Sequence, residues 1–195
     1  LRSHVAELVG RTRLTVEPPH ILCLNETFLD HTIGSAEIEG YEIVARWDRS
    51  YERGGVCIYA ACKIVQKITH VSSSADAERV WCMLHTDNGP FLLGAWYRPP
   101  NPEVASIESC EREHDVLADQ ALGTLLVGDV NVHHIDWLRH SRETSAGGKR
   151  LRLAASHMGL KQMVREPTRG KYLLDLALTD VPGTTAKVLP KIADH

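Results

Sequence analysis

The sequence predicts an α/β sandwich built from two sheets, and three observations lead there. Short apolar runs bounded by turn residues recur along the 195 residues, as strands do. Helical spacing of apolar residues shows in three places only, near Leu1–Val9, Val104–Ala121 and Gly148–Met158. From Tyr41 to Trp96 no helix signal interrupts the strands, so a strictly alternating βαβ chain fits worse than a sandwich.

The elements follow in order. Pro18-Pro19 breaks the chain after the first helix, and Ile21–Leu24 reads as a short buried strand. Tyr41–Trp47 and Gly55–Ala61 read as strands joined by the polar stretch Asp48–Gly54, as in a long hairpin. Ile64–Val71, Val80–His85 and Phe91–Trp96 are further strands, the last two joined by Asp87-Asn88-Gly89-Pro90. The prolines after Tyr97 stop the sheet, because proline cannot donate to a ladder. Thr124–Val127, Leu173–Leu178 and Lys187–Ile192 complete the expected strands.

Composition narrows the class. The chain is 43% hydrophobic and 24% charged, with a formal net charge of -3, the balance of an ordinary globular domain. Bulk charge does not indicate a strongly basic nucleic-acid binder, though a local basic patch or a bound divalent cation would change that. No apolar run is long enough to span a membrane and no signal peptide opens the chain, so an intracellular, nuclear or cytoplasmic, protein is expected. Five cysteines without a CxxC read as small hydrophobes in a reducing compartment. Cys23, Cys57, Cys62 and Cys82 lie in apolar surroundings. Length suits a single domain over 1–195. The chain opens at Leu1 without Met and stops at Ala193-Asp194-His195, so it reads as a domain cut at both ends.

The chemistry concentrates where strands end. Leu24-Asn25-Glu26, Gly128-Asp129-Val130-Asn131 and Ile192-Ala193-Asp194-His195 each put acids or amides after an apolar run, and Asp175 lies inside one. Singly, each has a duller explanation, such as a solvated loop or turn chemistry. Together they sit where rigid scaffolds carry sites. An unpaired buried carboxylate is costly, so Asp175 needs a cation, a histidine or backbone donors as a partner. Carboxylates with an amide oxygen suit a hard cation such as Mg²⁺ meeting a substrate phosphate. A carboxylate can also deprotonate a water, and a held histidine can stabilise charge on phosphorus. That equipment suits phosphodiester hydrolysis. Alternation would send Asp129 and Asn131 to one side of the strand end.

The ordered set LCLNET, AWYRPPN, LLVGDVNVHHIDW, EPTRGKYLLDLALTD and IADH resembles the endonuclease/exonuclease/phosphatase superfamily. Within it the set is most similar to the apurinic-like endonuclease domain of non-LTR (LINE-type) retrotransposons. The resemblance implies a DNase I-like sandwich whose first and last core strands lie outside this sequence, and Val130 stands where the family more often has Phe. It implies Mg²⁺, with Mn²⁺ as a substitute, held by Glu26 with Asp194 close by. Tyr97 would contact the scissile phosphate, Asp129 would activate the attacking water, and Asn131 would hold water and phosphate. His195 would contact the phosphate, oriented by Asp175. Arg98 and Thr168 are the expected substrate contacts, Thr168 on the DNA backbone. The implied activity is nicking of target DNA to leave a 3′-hydroxyl that primes reverse transcription, with a reverse transcriptase domain in the same polypeptide.

Two other readings stand beside it: a phosphatase of the same superfamily acting on a small phosphoester, and a catalytically incomplete fragment that only binds nucleic acid. The basic residues Arg98, Arg139, Arg142, Lys149, Arg150, Arg152, Arg165, Arg169 and Lys171 favour a long polyanion. His133, His134 and Asp136 lack a third ligand at zinc spacing, so they read as loop residues with Trp137 as their anchor. His114, His140 and His157 read as surface or helix residues.

Overall fold

Strand β3, Val56–Ala61, is buried along its whole length, and alternation along it sets the layers of the fold. In this computed structural model, which describes residues 8–10, 17–29, 36–49, 54–100 and 103–190, Val56 and Ile58 face one core while Cys57 and Tyr59 face another. β3 is the centre of a three-stranded antiparallel sheet, flanked by β1 (Ile21–Asn25) and β2 (Tyr41–Trp47). The polar stretch ending in Gly54 joins β2 and β3 as antiparallel neighbours, as its composition predicts.

A second sheet has six strands in the order β4-β5-β6-β7-β9-β8. They are β4 (Ile68–Ser73), β5 (Glu78–Thr86), β6 (Gly89–Tyr97), β7 (Thr124–Asp129), β8 (Lys161–Gln162) and β9 (Asp175–Thr179). β6 and β7 run parallel and the other neighbours run antiparallel. The connection between β6 and β7 carries helix α1, Ala105–Leu117, as a parallel crossover requires. Helix α2, Ala146–His157, follows the β7 loop, with Ser145 as its N-cap accepting from the Gly148 amide at 3.0 Å.

The sheets meet through Ala45, Val56 and Ile58 on one side and Val80, Cys82, Leu93, Ala95 and Tyr97 on the other. The opposite face of the large sheet presents Trp81, Leu92, Trp96, Leu126, Leu176 and Leu178 to Ile107 of α1 and Leu151 of α2. A buried polar group fastens α1 to that sheet. Arg79 donates from Nε and Nη2 to the Glu113 carboxylate at 2.8 and 2.9 Å, and Trp81 Nε1 donates to the same group at 2.7 Å.

Three expectations need correction. The fourth strand begins only at Ile68, because Val65–Lys67 forms a 3-10 turn. Lys187–Pro190, the described part of the last expected strand, lies outside both sheets and is largely exposed, with no buried face to hold it. Cys62 is exposed in the turn after β3, whereas Cys57, Cys82 and Cys110 are buried. Burial pushes the thiols of Cys23, Cys57, Cys82 and Cys110 up to about 12, so they behave as hydrophobes. Of the first expected helix, residues 8–10 are helical and most of the rest lies outside the described residues. His114 is on its helix but buried, its Nε2 3.1 Å from Thr124 Oγ1. Among the described residues no helix is long and apolar enough to cross a membrane.

Candidate active site

Parity along the strands carries polar groups to one end of the seam between the sheets. Leu125 packs on the inter-sheet core while Leu126 packs on the helix side, so Asp129, four residues past Leu125, shares the seam face. On β9, Leu176 and Leu178 face the helices, which leaves Asp175 on the seam face beside Asp129. Tyr97 ends the β6 run of Leu93 and Ala95 on that face. On β1, Ile21 and Cys23 pack on the seam core, so Asn25 continues the same side and Glu26 follows it out.

Chain direction makes these ends coincide. β6 and β7 are parallel, so Tyr97 and Asp129 finish at one edge; β9 is antiparallel to β7, so its first residue, Asp175, arrives there. The glycine before Asp129 has a packing reason. A Cβ at Gly128 would lie 1.7 Å from the Trp96 carbonyl oxygen, so the close approach of β6 to β7 admits no side chain.

Tyr97 donates its hydroxyl to Glu26 Oε1 at 3.0 Å. Burial and the Glu26 carboxylate push the phenol up, so it stays protonated as a donor. Asp129 is 4% exposed, and its pKa is pushed up to about 7 by burial, then by Asp175 and Glu26. Among the described residues Asp129 Oδ1 and Asn25 Oδ1 are buried without a hydrogen-bond donor. Glu26 itself holds a left-handed backbone, φ 50°, which a non-glycine residue adopts at a cost and which recurs at functional positions. The strands behind it hold that segment: Phe28 N donates to Gly54 O at 3.0 Å, and Gly55 N donates to buried Glu78 at 2.6 Å.

Asn131 reaches the site by a route different from the one alternation suggests. The strand ends at Asp129, and Asn131 turns left-handed, φ 49°, with its Nδ2 donating to Arg98 O at 2.9 Å. Arg98, expected as a substrate contact, is buried. Its side chain is 1% exposed, and its guanidinium donates to the carbonyl oxygens of Val130 and Glu103. A buried fork donating to main-chain oxygens braces the loop. Thr168 Oγ1 accepts from the Leu174 and Asp175 amides, 3.0 Å each, so it seats the start of β9.

Arg169 is the residue that sequence reasoning left among the general basic positions. Its Nη2 lies 3.3 Å from Glu26 Oε2 and its Nη1 3.6 Å from Asp129 Oδ2. The signal that could have found it is the glycine after it: Gly170 is left-handed, φ 59°, and Arg169 and Tyr172 bridge each other as a tight turn. Asp194 and His195 lie outside the described residues.

The two loop histidines part company. His133 packs edge-on against Tyr172, ring centres 5.2 Å apart, and His134 against Trp137 at 6.3 Å. Among the described residues no three or more His, Cys, Asp or Glu are arranged to hold a metal ion. The Glu26 and Asp129 carboxylates and the orphaned Asn25 and Asp129 oxygens nevertheless fit a hard cation bound at one or two carboxylates, with water and phosphate completing its shell. They do not fit a protein cage.

Similar arrangements of the chain recur in solved structures. The endonuclease domain of TRAS1, a telomere-specific non-LTR retrotransposon, superposes with a TM-score of 0.64 at 17% identity, covering 91% of this chain and 78% of that one. An AP endonuclease from Archaeoglobus fulgidus gives 0.63 at 16%, covering 91% and 82%. A mannosyl-6-phosphatase from Bacteroides thetaiotaomicron gives 0.58 at 12%, covering 93% and 77%. These likenesses establish the DNase I-like α/β fold. No curated protein is similar enough in sequence to count as a relative. The model of the Endonuclease/Exonuclease/phosphatase family matches residues 2–187, and the chain therefore belongs to that family of hydrolytic nucleases and phosphatases.

Proposed function

We propose that this chain is a Mg²⁺-dependent endonuclease domain that nicks DNA and leaves a 3′-hydroxyl. The observation that carries the reading is Asp129: buried at a strand end, beside Asp175 and Glu26, with a pKa raised to about 7. A general base works best when its pKa lies near the operating pH. Ionised Asp129 takes a proton from a water, the water oxygen attacks phosphorus, the P–O3′ bond breaks, and the leaving 3′-oxygen takes a proton from solvent. Asn131 positions the water and the phosphate, and Tyr97, kept protonated, donates to a phosphate oxygen. His195, oriented by Asp175, contacts the phosphate. Glu26, with Asp194, would hold Mg²⁺ or Mn²⁺, which supplies positive charge to the phosphate and the leaving oxygen.

DNA is favoured over a small phosphoester by the surface. Arg139, Arg142, Lys149, Arg152, Arg165, Arg169 and Lys171 are exposed, all in the half of the chain that carries Asp129 and Asp175. Such residues neutralise successive backbone phosphates. Thr168, though seating β9, keeps a hydroxyl proton for a backbone phosphate. The likeness to the TRAS1 domain supports a role in target-primed reverse transcription, with a reverse transcriptase domain in the full polypeptide.

The test is nicking of supercoiled plasmid with Mg²⁺ and with EDTA, alongside Asp129→Ala and His195→Ala. Metal-dependent nicking lost in both variants supports the assignment. Release of phosphate from small phosphoesters without nicking replaces it with the phosphatase reading. Gel-shift binding with neither activity replaces it with a DNA-binding fragment.

A further inference from the structure

Two arginines in this molecule meet carboxylates in contrasting ways. Arg79 is fully buried, bonds Glu113 through two nitrogens at 2.8 and 2.9 Å, and lies 4.9 Å from the centre of the Trp96 ring. That pair is built to stay. Arg169 has a side chain 54% exposed and touches Glu26 and Asp129 with one nitrogen each, at 3.3 and 3.6 Å. Neither contact uses the paired fork geometry that gives arginine its strength with carboxylates. Its backbone is fixed all the same. Arg169 N donates to Tyr172 O at 2.9 Å and Tyr172 N donates back at 3.0 Å. Thr168, next to it, holds the amides that open β9. The turn is rigid while the side chain is held loosely at its tip.

The carboxylates at this place outnumber the cation. Glu26, Asp129 and Asp175 converge, and Arg169 is the cation that the described residues set against two of them. A hard divalent ion prefers carboxylate oxygen, and a guanidinium fork matches phosphate. If both are offered, the lower-energy exchange gives the ion to Glu26 and the guanidinium to the phosphate.

We propose that Arg169 is the resident counter-cation of the substrate-free site, which a divalent ion displaces from Glu26 and Asp129 and which then clamps the substrate phosphate. The proposal rests on the metal-dependent endonuclease reading, its first half on the metal site and its second half on the phosphodiester substrate. In the resting site Arg169 competes with the metal, so its charge lowers metal affinity. In the loaded site it contacts the phosphodiester and raises DNA affinity. The two effects have opposite signs, which a merely structural residue would not produce.

The experiment measures Mn²⁺ binding by calorimetry in the absence of DNA, for the wild type, Arg169→Gln and Arg169→Lys. Arg169→Gln is expected to bind Mn²⁺ about tenfold more tightly, the order expected from removing one cation near the ion in a partly exposed site. Arg169→Lys keeps the charge and is expected to stay near wild type, which also guards against a folding defect. In Ca²⁺ buffer, Arg169→Gln is expected to bind an uncleaved duplex about tenfold more weakly. Unchanged or weaker Mn²⁺ binding by Arg169→Gln, or no Mn²⁺ binding by any of the three, overturns the competition. Unchanged duplex affinity overturns the clamp. Plasmid nicking by the wild type is read separately, so the endonuclease reading stands or falls on its own.

Discussion

Asp129 and Asp175 are direct cross-strand partners, opposite each other in the antiparallel pair of β7 and β9. Like charges in that position repel. The stability consequence has a definite sign. Native Asp129 holds its proton up to about pH 7, against 3.8 for an ordinary aspartate, so the folded state binds more protons between those values. Metal-free protein therefore loses stability as pH rises from about 4 to about 7, then levels off. Asp129→Asn cannot ionise and escapes the loss. It is expected to be the more stable protein at pH 8 in EDTA, by at most about 4 kcal/mol, and to lose that advantage near pH 4. Urea unfolding across pH checks this; parallel curves for the two proteins would refute it.

Tyr97→Phe removes the donor to Glu26 without changing the buried ring. Nicking should fall by about 10²-fold, the order of losing one donor aimed at developing charge. The melting temperature should move little. A variant that cuts normally would remove Tyr97 from the reaction.

Arg98→Met tests the bracing role. It strips donors from the Val130 and Glu103 carbonyls, inside a loop that also uses Arg98 N to Asp129 O at 2.8 Å. A loss of about 2–4 kcal/mol is expected in denaturant unfolding, as for a broken buried polar network. Wild-type stability with weakened DNA binding would restore Arg98 as a substrate contact.

Thr168→Val leaves the Leu174 and Asp175 amides without their shared acceptor. It should cost about 1–3 kcal/mol, and Thr168→Ser should recover most of that. Thermal denaturation of the three proteins decides it.

Much of the architecture was legible because strand parity and turn residues are local. Tyr41–Trp47 could be read directly, and Asp129 announced itself as an acid after an apolar run. Lys161–Gln162 could not be read, since two polar residues carry no period and pair only because β9 lies beside them. The burial of Arg98 could not be read, since one of the carbonyls that receive it, Val130 O, lies 32 positions along the chain. Arg169 was hidden for a similar reason: the carboxylate it meets lies 143 positions earlier in the chain.

The turn between β5 and β6 lies at the far end of the nine-residue strand β6 from Tyr97. At strand rise its eight steps span roughly 27 Å. Thr86 and Gly89 close it with their own hydrogen bond, and Asp87 at its tip is fully exposed. A fluorophore or an affinity peptide placed at Asp87-Asn88 would thus report on, or immobilise, the protein without shading the strand ends that carry Tyr97, Asp129 and Asp175.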